Sequence, residues 1–169
     1  MPIRREGGTG GGDRGAVRLA LAEHERGLLA DLAGQLAGLL EGGDLRDGAV
    51  ARLLPSAYPD DAEADAEFRR WTSGDVTARK LDGARTVGEL LATDEGEGVV
   101  LDDDRQQVLL RTLTDLRLVL GQRLGVTADG FVDSDDEHEL VLRDVFDWLG
   151  WVQESLLQAI TGGTPDDGD

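Results

Sequence analysis

Residues 105–124 read RQQVLLRTLTDLRLVLGQRL and form the most regular apolar pattern in the chain. Leucines at every third or fourth position place an apolar face along one side of a helix. This face consists of Leu109, Leu113, Leu116, Leu120 and Leu124, and it is widened by Val108, Leu110, Leu118 and Val119. A helix that is apolar on several sides is typical of the centre of a bundle. We therefore expect the segment from Arg105 to Leu124 to be the central helix.

Further helices are predicted on both sides of this segment. The same leucine spacing predicts a helix over Glu23–Glu41. The last helix opens at Ser134 and Glu137, which have the spacing of a capping box, and continues to Thr161. The sequence between these segments predicts a helix over Asp44–Leu54, a helix from the cap Asp60 to a break at Thr72-Ser73-Gly74, and a helix over Asp75–Ala92.

Two short segments, Val17–Leu21 and Val99–Leu101, have the pattern of strands. Each directly precedes a long helix, which makes them candidates to pair at one edge of the bundle. We therefore expect a mostly α fold: a single-domain helical bundle of five or six helices with two short β-strands. Residues 1–14 are expected to form a flexible Gly-rich tail, residues 15–161 the helical domain, and residues 162–169 an acidic disordered tail.

The charge balance and the lack of cysteine narrow the classes of function. Seventeen basic residues against thirty-five acidic ones give a net charge of -18, which repels nucleic acid and anionic membranes at long range. The absence of cysteine excludes disulfides, thiolate metal sites and thiol redox sensing. No stretch resembles a signal peptide or approaches the roughly 20 apolar residues of a membrane span. We expect a cytoplasmic protein.

No residue pattern indicates an enzyme. His24 and His138 each lie between two glutamates and have no partner at metal-binding spacing. The loop 129–139 alternates carboxylates as calcium loops do, but it places His138 where an EF-hand needs glycine and Asp144 where it needs glutamate. We therefore expect no catalytic, cofactor-binding or metal-binding residues.

Basic residues outnumber acidic ones in one part of this acidic chain. The basic residues are Arg69, Arg70, Arg79, Lys80 and Arg85, set among Glu67, Asp75 and Asp82. Either they pair with the abundant carboxylates or they form a patch that faces a partner. The predicted break at Gly74 also outlines a helix-turn-helix. Arg85, however, lies roughly 120–140° around the helix from Arg79 and Lys80, which disfavours a single groove-reading face.

Trp151 is a second candidate for partner contact. It lies three residues after Trp148 in the last helix, beside the apolar face. Aromatic residues at the edge of such a face commonly anchor protein interfaces. The candidate partner-binding residues are therefore the five basic residues above and Trp151.

Six segments, taken in order and spacing, resemble a known family. They are RLLPSAY at 52–58, EFRR at 67–70, RKL at 79–81, ARTV at 84–87, DLRLVLG at 115–121 and DWLGWVQESL at 147–156. Together they resemble the actinobacterial AosR-like family of oxidative-stress transcriptional regulators, formerly a domain of unknown function. The resemblance extends from about Arg14 to Ile160.

The resemblance implies a cytoplasmic regulator of stress-responsive transcription that works with a sigma factor or RNA polymerase. It also implies redox sensing by a cysteine pair, which this chain lacks. The first hypothesis is thus a non-enzymatic regulator that acts mainly through protein–protein contact. The alternative is an adaptor or structural interaction module without a transcriptional role. The net charge disfavours direct contact with DNA but leaves it open, and a homo-oligomer is compatible with the sequence.

Overall fold

The computed structural model describes residues 3–5, 15–54, 60–127, 129–130, 133 and 135–162, with the backbone alone for 69–73. These residues form five helices: α1 (Glu23–Gly42), α2 (Gly48–Leu53), α3 (Ala62–Ala92), α4 (Asp103–Arg123) and α5 (Glu137–Thr161). They also form three strands: β1 (Ile3–Arg5), β2 (Val17–Leu19) and β3 (Val99–Leu101). The predicted mostly helical, single-domain fold is confirmed.

Helix α4 occupies the centre of the bundle and packs against the four other helices. Its predicted apolar face is the buried one: Leu109, Leu113, Leu116 and Leu120 are all less than a tenth exposed. Burial of one leucine side chain stabilises a fold by roughly 1.5–3 kcal/mol. Packing of this face therefore holds the bundle together. The carboxylate of Asp102 caps the helix by accepting a hydrogen bond from the backbone N–H of Arg105 at 2.9 Å.

The two predicted strands pair, and a third strand joins them. The sheet is antiparallel with the order β1-β2-β3, and Arg18 of β2 lies opposite Arg4 and Val100. Strand β1 was not predicted, because it lies within residues 1–14 and contains one apolar residue. That residue, Ile3, is 4% exposed and belongs to the core. A single buried side chain leaves no periodicity in a sequence.

Helix α3 is one continuous helix where the sequence predicted two. The sequence predicted a break at Thr72-Ser73-Gly74, but the helix runs without interruption through these residues. One glycine costs a helix only about 1 kcal/mol, and the following turns bury Ala84, Val87 and Leu91. Packing therefore outweighs the weak local propensity. The helix is capped by Asp61 rather than Asp60, through hydrogen bonds from the N–H groups of residues 63 and 64.

Other predicted boundaries shift by a few residues. Helix α2 begins after its cap Asp47, not at Asp44. Helix α5 begins after Asp136, whose side chain accepts a hydrogen bond from the N–H of His138 at 2.8 Å. The predicted cap Ser134 lies outside the described residues, as do residues 6–14 and 163–169 of the predicted tails.

Candidate functional site

A groove runs between α3 and α4 and contains two of the predicted contact residues. Its volume is about 480 Å³. From α3 it is lined by residues at helical spacing: Val76, Arg79, Lys80 and Gly83. From α4 it is lined by Val108, Arg111, Thr112 and Asp115, which have the same spacing, and also by Leu110 and Thr114. The two helices thus present matching stripes to each other, and we call this feature the α3–α4 groove.

Gly83 lines the groove where α3 faces Thr112 and Val108 of α4. A Cβ atom at this position would lie 3.5 Å from Oγ1 of Thr112 and 3.8 Å from Cγ1 of Val108. Both distances are ordinary van der Waals contacts, so this face of α3 packs directly against α4.

Lys80 and Asp115 form an ion pair in the wall of the groove. Nζ of Lys80 lies 2.6 Å from Oδ1 of Asp115, and their side chains are 24% and 6% exposed. Burial raises the pKa of Asp115, while the hydrogen bond and the charge of Lys80 act in the opposite direction. Removal of two charges from water costs about as much as their attraction returns. The Lys80–Asp115 ion pair therefore does not by itself imply a net gain in the stability of the fold.

Two arginines stand at the rim. Arg79 and Arg111 are exposed, and Nε of Arg79 donates a 3.4 Å hydrogen bond to the backbone oxygen of Asp75. Within the described part of the chain, no salt bridge joins either guanidinium to a carboxylate. The groove thus has three basic residues and one carboxylate, the reverse of the balance in the whole chain.

The remaining predicted contact residues lie elsewhere. Arg85 forms an ion pair with Glu41 of α1 and so faces away from the groove, in agreement with its predicted angle around the helix. Arg69 and Arg70 belong to α3, but their side chains lie outside the described residues. The ion pairs of Lys80 and Arg85 fit the interpretation in which basic residues neutralise carboxylates. Arg79 fits the partner-facing interpretation.

The continuous α3 removes the basis for a helix-turn-helix. That interpretation required a turn near Gly74, and the structure has none there. Arg79 and Lys80 lie midway along a helix of 31 residues that packs against α1 and α4. A helix that reads DNA instead inserts its N-terminal residues into the major groove.

Trp151 forms part of a separate exposed surface on α5. Its side chain is 48% exposed, and Leu140, three turns earlier on the same face, is 42% exposed. Trp148, by contrast, is partly buried and donates a 3.2 Å hydrogen bond from Nε1 to Oε1 of Glu25. Trp148 therefore joins α5 to α1, and Trp151 is left at the surface.

Sequence reasoning missed the residues that α4 contributes to the groove, Arg111 and Asp115. One signal was present: Asp115 lies between Thr112 and Leu116 on a stripe that is otherwise buried. A carboxylate in an apolar stripe needs a cation close by. Which helix supplies that cation depends on how the helices pack, and the sequence does not reveal this.

Two carboxyl groups outside the groove have lowered pKa values for structural reasons. The N–H of Ala49, with the guanidinium of Arg123 at 2.9 Å, lowers the pKa of Asp47. Burial opposes ionisation of Asp94, but the N–H groups of Gly96 and Gly98 and the guanidinium of Arg26 outweigh it and lower the pKa of that carboxyl. Both groups hold loops to helices.

Neither a metal cluster nor a membrane span appears among the residues described. In that part of the chain, no three His, Asp or Glu side chains are grouped so that they could hold a metal ion. None of its helices combines the length and the apolar character that crossing a membrane requires.

Comparison with known proteins relates the chain to one family. Residues 3–160 match the family described as "Domain of unknown function (DUF2017)". The chain is also similar to the proteins named "Oxidative stress regulator AosR" from Mycobacterium bovis and from two strains of Mycobacterium tuberculosis. Each is 28% identical over 180 aligned positions, which cover 86% of this chain and 82% of the relative. No solved structure gives a significant match.

Proposed function

The chain belongs to the DUF2017 family, in line with its predicted AosR-like resemblance, and from this premise we propose that it is a non-enzymatic regulator of the response to oxidative stress. It acts mainly through contact with proteins of the transcription machinery, such as a sigma factor or RNA polymerase. Such a role implies a location in the cytoplasm. The observation that carries the proposal is a similarity to named regulators over most of both chains.

The mode of action follows from what the chain lacks. It has no cysteine, so thiol oxidation cannot switch it. In this proposal the signal reaches the chain by another route, such as a partner protein or a bound ligand. The chain is proposed to act in turn by binding to a surface of another protein.

The α3–α4 groove is the proposed contact surface. Val76 and Val108 offer apolar walls, and Arg79 and Arg111 offer guanidinium groups at the rim. Arginine is enriched at the centres of protein interfaces because its planar fork pairs with carboxylates while its stem packs on apolar surface. An acidic, partly apolar segment of the partner matches this lining. The exposed Trp151 surface is a second anchor.

Affinity purification tests the proposal. The chain, expressed at its natural level in its own cells, is expected to recover a sigma factor or RNA polymerase. The double variant Arg79→Glu/Arg111→Glu is expected to lose most of that recovery. The matched control, Arg46→Glu/Arg105→Glu, makes the same charge change at exposed positions outside the groove. It is expected to recover the partner as the unchanged chain does.

Different outcomes would contradict different parts of the proposal. Recovery of neither transcription protein would contradict the regulatory function. An unrelated partner, with an unchanged transcriptome after deletion, would support the adaptor alternative. Equal recovery by the groove variant and its control would retain the function and exclude the groove. A shift of promoter DNA at low salt that weakens steeply with added salt would indicate direct DNA contact.

A further inference from the structure

A smaller cavity between α2, α4 and α5 has a lining that suits an anion. Its volume is about 320 Å³, near the lower end of the ~300–1,000 Å³ range of small-molecule sites. Side chains with N–H donors line it from all three helices: Arg52, Arg117, Gln122 and Gln153. Thr114 also lines it, but its O–H is already donated to the backbone oxygen of Leu110. This cavity is separate from the α3–α4 groove, with which it shares Thr114.

Arg117 is held rigidly in this cavity. Its Nη1 donates a 3.0 Å hydrogen bond to Oε1 of Gln153, whose Nε2 donates in turn to Oγ1 of Thr114 at 2.7 Å. The guanidinium carbon lies 4.8 Å from the ring centroid of Phe146. These contacts fix its orientation, so little side-chain entropy would be lost when it binds a ligand.

The donors of Arg117 are not fully used. Its Nε is buried and has no hydrogen-bond partner in the structure as described. Among the described residues of the lining, its one charged neighbour is another guanidinium, that of Arg52. Arg52 uses Nε for a 3.2 Å hydrogen bond to Oε1 of Gln122. A guanidinium has five N–H groups. The Nε of Arg117 is enclosed, so the donors left for a ligand are the remaining Nη groups of the two arginines.

The lining also lacks the groups that would neutralise these cations. Among the described residues, no carboxylate lines the cavity, although the chain has 35 acidic residues. Two guanidinium groups without a carboxylate in a partly enclosed space favour entry of an anion. In the α3–α4 groove, by contrast, the carboxylate of Asp115 already neutralises the charge of Lys80.

The apolar part of the lining restricts the ligand further. Leu118, Val126 and Phe146 complete the wall, and Leu118 is 37% exposed. Apolar side chains that line a cavity beside paired donors match a ligand with a charged end and an apolar end. A bare inorganic anion would leave this wall in contact with water.

We propose that the cavity bounded by Arg52, Arg117 and Phe146 is a binding site for a small anionic ligand, a phosphate or carboxylate that carries an aromatic or short aliphatic group. The two arginines and the side-chain amide of Gln122 hold the anion, and Leu118 and Val126 contact the apolar group. The site does not depend on the proposed regulatory function. It gives a cysteine-free chain a route by which a metabolite can be sensed.

Titration of the full chain with phenyl phosphate, followed by amide NMR shifts at constant ionic strength, tests the site. Saturable shifts are expected at Gly121, Gln122 and Val126. Inorganic phosphate and benzyl alcohol, which each carry half of the ligand chemistry, are expected to bind more weakly. Arg52→Gln is expected to weaken binding of phenyl phosphate by about tenfold, because one charge-assisted contact is lost. The control Arg46→Gln is expected to leave binding unchanged.

Three results would overturn the proposal. The first is the absence of saturable shifts near this cavity up to about 10 mM phenyl phosphate, a concentration that would reveal even weak binding. The second is equal binding of inorganic phosphate or benzyl alcohol. The third is unchanged binding by Arg52→Gln. Because a neutral replacement of Arg117 risks unfolding, Arg117→Lys serves as the second variant. It keeps the charge, loses the planar fork, and is expected to weaken binding without loss of the folded spectrum.

Discussion

The buried carboxylate of Asp115 makes Lys80 costly to remove. Lys80→Met would leave a charge in the protein interior without a partner, and removal of one member of a buried pair costs about 3–5 kcal/mol. Because Lys80 is 24% exposed, we expect a smaller loss of about 2–4 kcal/mol. Urea unfolding at neutral pH measures it. Arg85→Met, which removes an exposed partner of Glu41, is expected to cost less than about 1 kcal/mol.

The double variant Lys80→Met/Asp115→Leu completes this test. It replaces the pair by apolar groups, an exchange that is often neutral or stabilising in buried sites. The loss of unfolding free energy in the double variant is therefore expected to be smaller than the sum of the losses in Lys80→Met and Asp115→Leu. The difference, the coupling energy, is expected to be about 1–3 kcal/mol. Additive losses would mean that the two side chains do not interact in solution.

Asp94 ties the stability of the loop between α3 and β3 to pH. Its carboxylate accepts hydrogen bonds from the N–H groups of Gly96 and Gly98 at 2.8 and 3.0 Å, and its pKa is lowered. A lowered pKa means that the folded state favours the ionised form. Its stabilising contribution is thus present above the usual carboxyl range and is lost as pH falls through the lowered pKa.

Asp94→Asn is therefore expected to reduce the free energy of unfolding at pH 7. The gap, which is the difference in this free energy between the unchanged chain and the variant, should close in acid. Unfolding in urea at a series of pH values measures the gap. The raised pKa of Asp115 has the opposite pH dependence but is common to both proteins, so it cancels in the difference. A gap that stays constant with pH would show that the charge of Asp94 does not matter. The exposed Asp31→Asn serves as control and should show no gap.

At the scale of elements, the unbroken α3 can be tested at Gly74. This glycine is exposed, and a Cβ atom there would meet nothing within 4 Å. Gly74→Ala is expected to raise the free energy of unfolding by about 0.5–1 kcal/mol, because alanine favours a helix and restricts the unfolded chain. Chemical unfolding followed by far-UV circular dichroism measures the change. Destabilisation would indicate a non-helical conformation at this position in solution.

The sequence predicted those elements whose apolar residues repeat many times. Helices α1, α4 and α5 each carry several turns of regularly spaced apolar residues, and their predicted bounds hold to within a few residues. Strand β1 has only three residues, and the sequence of α3 near Gly74 has a weak helix propensity. In both cases, contacts with residues distant in the sequence decide the structure. The same limit applies to the groove: Arg79 and Lys80 could be selected from the sequence, whereas Arg111 required knowledge of the packing of α4 on α3.

At the scale of the whole molecule, the net charge of -18 sets the response to salt. Excess charge of one sign destabilises a compact chain through self-repulsion, and salt screens it. We expect the Tm to rise by roughly 2–4 °C between about 10 and 150 mM NaCl, which corresponds to about 1 kcal/mol for a chain of this size. Differential scanning calorimetry measures the shift.

A charge-reduced variant provides the control for the salt response. Four exposed carboxylates, whose side chains form no salt bridge or hydrogen bond within the described part of the chain, suit this purpose. They are Asp31, Asp75, Asp82 and Asp144, and each is replaced by asparagine. The resulting chain is expected to depend less on salt. A Tm that falls with salt in the unchanged chain would instead mean that its ion pairs, such as Arg26 with Asp94, outweigh the general repulsion.

Strand β1 contacts α5, so residues near the beginning and the end of the sequence are neighbours in space. A short flexible linker could join them at small entropic cost, and a new opening in the exposed turn after Gly43 would give a circular permutant with the same core. During synthesis on a ribosome, the order in which the elements appear restricts when β1 can pack against α5. Strand β1 is synthesised before the four helices and two strands that separate it from its neighbour α5, so this edge of the protein can close only after α5 has left the ribosome.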